Sequence, residues 1–592
     1  MACTDKKLRT AGHGGMAVDG CMALVVATLL AVGWSITDWP DLSRMILPDA
    51  DDMVRLAQVR DWIAGQATND WTQYRMAPPN GAPMHWSRIN DIGIAGVILA
   101  AKPIFGTATA ELIAILAYPA ALFALSLFLA ARIGRRLWGP PAGLVAVILS
   151  AVAYPGITLF VPGRVDHHGL QVVMIQFAIL AMMRAPSAAS GAATGAAMAI
   201  GMMIGLEAAL QYGTLVAILF LYWVVRGDAE RCRLRAFALV LGLGTIVFLM
   251  TMRPTYWTAT LCDAFTPASA TALIAGSAAL ALTAATTPYL RDWRQRLLLG
   301  GVLGGIVLAG TLAAYPACLA GPYGAVDPFL MENFIAHIDE ANGIFEQTSV
   351  SRMIALAGLI SIGCAAIVWN ARRDPAGWAL WMPISAVIVI SALITLFQVR
   401  GLYIGVPLVG SVLAGLVIAA RQVVRARTAA IIFAWIASSG VAYYEIPHRI
   451  AVAAGGHRDD RIRTPQDLCK RNDVWEQVDQ YPSGVIMAPT NMASYLIGAT
   501  RHSTIGAGYH RNDAANMAMY RYFLSPPETA RAMARRLQID YVMFCPGDFV
   551  EMQLAARRPS SIAAMLGRGE TPPGLEPLPL RDARLRLYRV TR

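Results

Sequence analysis

Charge is what this sequence has least of. Asp, Glu, Lys and Arg make up only 15% of its 592 residues, against 56% hydrophobic, and mean hydropathy is +0.49. That balance excludes a soluble multidomain enzyme and makes the bilayer the main solvent of the chain. Cysteine is also scarce: eight residues, with no CxxC pair and no Cys/His zinc spacing, exclude a disulfide scaffold and a zinc ribbon. Only Cys469 and Cys545 share the polar C-terminal region; an oxidising compartment would bridge them, and two isolated buried thiols are the alternative. Internal repeats, collagenous tracts and long low-complexity segments are absent. The net charge of +11 does not point to nucleic acid, because the arginines are confined to short breaks between long apolar runs, the pattern that orients a membrane protein.

What is present is a succession of apolar runs. A spanning helix needs about 20 apolar residues, and about thirteen segments from 18–36 to 428–444 meet or approach that length. Lys6, Lys7 and Arg9 precede the first run, Cys21 to Ile36, in the manner of a secretory signal. No small-residue cleavage site follows, so the run reads as a retained span with a cytoplasmic start. Residues 91–106 are short and carry Lys102 and Pro103, which predicts an interfacial or re-entrant helix. Leaving that segment out of the count puts Arg132/Arg135/Arg136, Arg226 to Arg235, Arg291 to Arg296, Arg372/Arg373 and Arg421 to Arg427 on the side of the N-terminus. The outer face then owns loops 37–110, 160–168 and 319–350 and the tail from residue 445. The Ala/Gly-rich stretch 188–205 predicts a tightly packed helix interface.

Two domains follow: a transmembrane domain over 1–444 and a soluble α/β domain over 445–592. In the second, 484–489 and 539–544 read as strands and 513–524 as a helix, and Ser525-Pro-Pro-Glu528 reads as a capping box opening a helix to about Leu537.

The outer loops carry the chemistry. Leu47-Pro48-Asp49-Ala50-Asp51-Asp52 sets three carboxylates within four residues, which repel one another unless a cation sits among them. A solvated turn capping a helix from Met53 is the plainer reading. Gly163-Arg164-Val165-Asp166-His167-His168 offers carboxylate and imidazole ligands suited to Mn²⁺ or Mg²⁺; helix capping by Asp166 beside two interfacial histidines is the alternative. The third loop carries Asp327, Glu332, Asp339 and Glu340, unremarkable in a solvated loop taken alone. Coincidence of the three on one face predicts a divalent-cation site able to receive a phosphate leaving group. Arg400 stands near an outer helix end, where a lipid-linked phosphate would match its guanidinium; pairing with Glu207 or Asp263 is the structural alternative. In the tail, Arg501-His502-Ser503 and Tyr509-His510-Arg511-Asn512 form polar clusters at strand ends, open either to a substrate or to solvent.

These residues resemble the catalytic subunit of oligosaccharyltransferase, a GT-C enzyme with thirteen spans and an outer C-terminal domain. The likeness covers nearly the whole chain in topology and short motifs in sequence. Asp51 followed by Arg60-Asp61-x-Ile63-Ala64-Gly65 is similar to the family's first acidic loop, whose Asp binds metal and contacts the acceptor. Asp166 and His168 match the ligand positions of its second metal motif, with His in place of one carboxylate. Glu340 in Ile338-Asp339-Glu340 resembles its mobile-loop glutamate, and Arg400 its diphosphate-binding arginine. The resemblance thus implies Asp51 and Glu340 as catalytic residues and Asp51, Asp166 and His168 as metal ligands. Asp49, Asp52, Arg164, His167, Arg400, His510 and Arg511 are the candidate substrate contacts. The family's Trp-Trp-Asp-Tyr-Gly motif, which reads the Ser/Thr of an Asn sequon, is missing; Ala488-Pro489-Thr490-Asn491-Met492 follows the strand instead.

The expected function is transfer of a sugar or oligosaccharide, with inversion, from a polyprenyl phosphate or diphosphate to a protein, lipid or glycan acceptor. The expected setting is a bacterial inner membrane, with the N-terminus cytoplasmic and the C-terminal domain periplasmic. A GT-C enzyme that uses a polyprenyl-phosphate monosaccharide to modify lipopolysaccharide or another surface glycan is the second reading. A transporter is the third, and it would place ionisable residues at mid-membrane and show half-sequence symmetry.

Overall fold

The computed structural model describes residues 13–253, 256–257, 261–321, 323–324, 326–453, 469–470, 472–547, 553–581 and 584–591. Lys6, Lys7 and Arg9 lie outside the described residues, as does most of the connection after residue 453. Among the described residues nine helices are long and apolar enough to cross a membrane. A bent pair, Arg427–Ala437 and Gly440–Ala453, and the shorter apolar helices Ala142–Ala151, His168–Met182 and Ala188–Ile204 accompany them. Each expected span falls on one of these elements.

The awkward segment 91–106 does not stand alone. It belongs to a 51-residue helix, Arg88–Trp138, broken at Gly106, whose φ of 76° lies in the left-handed region where glycine carries no Cβ penalty. The arm before the break carries Arg88, Asn90 and Asp91 into the buried interior, and the arm after it is the second expected span.

The Ala/Gly stretch packs as its composition predicts. A Cβ on Gly191 would collide with the Arg233 backbone and one on Gly195 with that of Phe237, so Ala188–Ile204 lies directly against Asp228–Thr251. Asp19, buried on the first helix, holds Arg132 at 3.1 Å and Arg135 at 2.6 Å and ties that helix to the second span.

The C-terminal region forms a mixed five-stranded sheet. Its strands are β3 (Val485–Met487), β4 (Ser503–Thr504), β5 (Tyr541–Phe544), β6 (Leu575–Leu578) and β7 (Arg586–Val590), in the order β4-β3-β5-β7-β6; β1 (Thr72–Gln73) and β2 (Ala82–Pro83) form a small hairpin in the first loop. Pairing is parallel from β4 through β3 to β5 and antiparallel from β5 through β7 to β6. Both expected strands and the helix Asp513–Phe523 are present.

The expected capping box at Ser525 does not form. The helix is Pro527–Arg536 with Pro526 as N-cap and no side-chain cap. Capping by Ser525 would require helical backbone at Pro526, which the following Pro527 disfavours, and Pro526 is extended at ψ 158°.

This region is seated on the long loop that follows the first helix. Arg60 Nη1 donates to the Gly498 carbonyl at 2.6 Å, Arg75 Nη1 to that of Thr500 at 2.7 Å, and Tyr495 OH to that of Pro48 at 3.2 Å. One apolar core runs through both, joining Met53, Val54 and Leu56 to Ile486, Met492 and Leu496. A second joins Leu330, Phe334 and Ile335 of the third loop to Met519, Phe523 and Phe544. Cys469 and Cys545 are disulfide-bonded, and a second bridge, which the sequence reading did not anticipate, links Cys262 to Cys318.

Candidate functional site

The acidic turn opens the helix Ala50–Ile63, with Asp49 as N-cap accepting from the Asp51 amide at 3.0 Å. The cation required among these carboxylates is Arg164 of the second loop. Its Nη1 lies 2.9 Å from Asp49 Oδ2 and 3.2 Å from Asp52 Oδ2, and its Nη2 lies 3.4 Å from Asp166 Oδ2. Asp52 Oδ1 accepts from the Asp166 amide at 2.9 Å, which fastens the two loops together.

Asp166, His167 and His168 then converge, one ligand atom from each lying within 4.8 Å of the others. His167 Nδ1 is 2.5 Å from Asp166 Oδ1, and His168 Nε2 is 3.5 Å from Asp166 Oδ2. Asp51, expected with Asp166 and His168, is outside this tight trio, while His167, expected as a substrate contact, is inside it. Burial resists ionisation of Asp166, but the His168 and His167 imidazoles and Arg164 outweigh it and hold the carboxyl well below its usual range. Burial also resists charge on His167, yet Asp166 and Glu207 push it up to about 10.

Asp51 and Asp52 go the other way. Burial, then the Asp49, Asp166 and Glu340 charges, lifts Asp51 well above the carboxylate range. Burial lifts Asp52 to about 8 although Arg164 opposes it. Buried carboxylates in excess of their cations, beside imidazole nitrogens, fit a divalent cation, which would relieve the repulsion.

Glu340 and Arg400 come together in the third-loop wall. Arg400 Nε donates to Glu340 Oε1 at 2.9 Å, Nη2 donates to the same oxygen, and Tyr403 OH donates to Oε2 at 2.7 Å. Glu340 is therefore the partner of Arg400, not Glu207 or Asp263, because the loop packs by its backbone against the Val399–Arg400 turn that opens the helix Gly401–Ala420 and delivers its own carboxylate. Burial opposes ionisation of Glu340, and Arg400 overcomes it, lowering its pKa.

The C-terminal region adjoins this pair through His510, whose ring meets that of Tyr323 edge-on at 5.3 Å. His510 Nε2 and Arg511 Nη2 each lie 2.6 Å from Asp263, and the Tyr509 ring stacks on His85 at 5.5 Å between centroids. Arg501 pairs with Asp479 at the surface, and His502 is buried against the Val478 carbonyl and the Gly484 amide, so that cluster is structural.

Several members of the site escaped sequence reasoning. Glu207 faces His167 Nε2 at 3.3 Å and His85 Nε2 at 3.7 Å and accepts from Gln171 at 2.9 Å. Burial, then Arg511, brings His85 down to about 3, so its imidazole is neutral. Behind the trio, Arg55 reaches Asp91 at 3.1 Å, comes within 3.4 Å of His167 Nδ1 and covers Trp86 at 4.3 Å. The signal for Glu207 and Asp263 lay in the span count, which also puts the turns after 206 and 252 on the outer face.

No protein-family model and no curated protein matches the chain. Solved structures do. Archaeal oligosaccharyltransferase AglB from Archaeoglobus fulgidus, in complex with an inhibitory peptide and a dolichol-phosphate, is similar at TM-score 0.68 and 13% identity, covering 94% of this chain and 72% of that one. The Archaeoglobus fulgidus oligosaccharyltransferase tethered to an acceptor peptide containing the NVT sequon gives 0.63 and 15%, over 97% and 74%. Its complex with Zn and sulfate gives 0.59 and 15%, over 89% and 67%. At these identities the likeness is one of fold: the chain has an oligosaccharyltransferase-like GT-C fold, that of a multi-pass α-helical membrane protein.

Proposed function

We propose that this protein is a metal-dependent glycosyltransferase that moves a sugar or oligosaccharide from a polyprenyl phosphate or diphosphate to an acceptor on the outer side of a bacterial inner membrane. The observation that carries the reading is the buried trio of Asp166, His167 and His168, beside buried Asp52 and half-buried Asp51, at the loop end of a bundle with this fold. Asp51, Asp166 and His168 would hold Mn²⁺ or Mg²⁺, with His167 beside them. Bound there, the cation supplies positive charge to the departing phosphate.

The chain's own groups do the rest. Asp51 orients the acceptor nucleophile, and Arg400 holds the donor phosphate through its planar fork. Glu340 is the loop contact to the acceptor. Arg164 keeps Asp49, Asp52 and Asp166 in place beside the reacting groups. His510 and Arg511, fixed by Asp263, form the wall that the 445–592 domain presents to substrate. Direct displacement would invert the anomeric centre. In place of a sequon-reading motif, β3 leads into the helix Thr490–Ala499. That favours an acceptor other than an Asn sequon and keeps the surface-glycan reading, with a polyprenyl-phosphate monosaccharide as donor, beside the first.

Purified full-length protein should transfer sugar from a lipid-linked donor in the presence of Mn²⁺ or Mg²⁺ and stop with a chelator. Released polyprenyl phosphate or diphosphate identifies the donor class. Turnover that survives both Asp51→Ala and Asp166→Ala unchanged would sink the assignment.

Sidedness has its own check. The bridges Cys469–Cys545 and Cys262–Cys318 suit an oxidising compartment. Non-reducing peptide mapping of protein taken from native membranes is expected to return both linked peptides; free thiols at all four positions would put these loops in the cytoplasm.

A further inference from the structure

The Glu340–Arg400 pair sets two proposed roles against each other. A carboxylate seated on Arg400 is not at the acceptor, and a guanidinium whose fork is filled is not holding a phosphate. The pair is also fastened through the backbone: the Arg400 amide donates to the Glu340 carbonyl at 3.2 Å, and the Val399 amide to that of Asn342 at 2.9 Å. Tyr323 OH accepts from the remaining Arg400 Nη1 at 3.1 Å.

Three features make this an exchangeable seat. The side chains are 25% and 28% exposed, so an anion can reach them. Phosphate matches the same fork as a carboxylate, and a lipid-linked diphosphate brings more charge to it. The loop is anchored ahead of Glu340, where Leu330, Phe334 and Ile335 pack into the C-terminal core and Cys318 is tied to Cys262, and it ends after Glu340 at the helix Val350–Arg373. Between these anchors and the helix at Val350 run only the short 3₁₀ turns Asp339–Ala341 and Ile344–Glu346, with Phe345 at 76% exposure. Tyr403 joins this seat to the trio, its OH on Glu340 and its ring 5.1 Å from the His168 ring.

We propose that Glu340 is a built-in stand-in for phosphate on Arg400, so that a lipid-linked phosphate binds by displacing it and thereby releases the loop carboxylate toward Asp51 and His168. Donor binding then precedes acceptor binding, and the loop is the element that enforces the order. This rests on the reading of Arg400 as the donor's phosphate contact. An internal competitor lowers apparent affinity by the fraction of molecules in which it holds the seat.

The test uses full-length protein in lipid nanodiscs with a polyprenyl monophosphate as probe. Glu340→Gln keeps the shape and removes the competing charge, and should bind the probe about fivefold to tenfold more tightly than wild type; Tyr403→Phe, which removes one hydrogen bond from the latch, should bind about twofold more tightly. In wild type, hydrogen exchange at the Val399 and Arg400 amides should quicken when the probe binds. Unchanged affinity in both variants, or slower exchange at those amides, overturns the latch while leaving the donor reading standing. No binding to wild type, Glu340→Gln or Tyr403→Phe overturns the donor reading itself. Inorganic phosphate is the second arm: if it alone quickens the exchange at equal concentration, the seat answers to any free anion and the donor-first order falls.

Discussion

Asp166→Asn is expected to lower glycosyl transfer by about two to three orders of magnitude, the scale on which a site loses a single preorganised charge-stabilising group. Asn keeps the size of the side chain and one carbonyl oxygen to accept from the His167 and His168 amides, so the turn into the helix His168–Met182 can persist. What goes is the charge around which the site is arranged. Arg164 loses one of its three carboxylates, and His167 loses the closer of the two carboxylates that favour its charged form. Asp51 should move down, because Asp166 is one of the charges raising it, while burial and Asp49 continue to hold it above the usual carboxylate range. The measurement is turnover at saturating donor and acceptor across a Mn²⁺ titration, with thermal unfolding as control for the fold. A variant that retains a tenth of wild-type turnover with an unchanged metal requirement would remove Asp166 from the site.

How much of this could be read beforehand depended on the range over which each feature is encoded. The spans were legible because hydropathy is a sum over adjacent residues. The acidic turn and the Asp166-His167-His168 corner were legible because their residues are neighbours, and the span count placed both at one end of the bundle. The break at Gly106 was less so: Lys102 and Pro103 argued for a separate short helix, whereas a single left-handed glycine bends one long helix. The partner of Arg400 was illegible. Sixty positions separate it from Glu340, and nothing local says that loop 319–350 packs against the start of the helix Gly401–Ala420, two helices further along the chain. Glu207 was hidden between two apolar helices, where its neighbourhood suggested a helix terminus rather than a contact to His85 and His167. The sheet order β4-β3-β5-β7-β6 likewise depends on pairings between distant segments that alternation within one strand cannot specify.

The buried network under the trio yields the largest expected change in stability. Asp91 is almost wholly inaccessible and is gripped by two arginines, Arg55 at 3.1 Å and Arg88 at 3.0 Å, both themselves buried. Asp91→Ala leaves two guanidinium groups in the interior without their carboxylate, and removing one partner of a buried ionic pair costs about 3–5 kcal/mol. Arg55→Met should cost less. Asp91 keeps Arg88, which is further held by the Gln58 and Asp70 carbonyls and by Gln66 Oε1, and a methionine can fill much of the space over Trp86. The order of the two losses separates an ionic network from simple packing, since packing alone would make the larger Arg55 the costlier residue to replace. Titrating the membrane protein with denaturing detergent measures both. Arg55→Met should also reduce transfer despite its milder unfolding cost, because Arg55 approaches His167 from the side opposite Glu207 and limits where that imidazole can lie. Equal destabilisation by the two variants, with transfer unaffected by Arg55→Met, would make the network a scaffold with no hold on the trio above it.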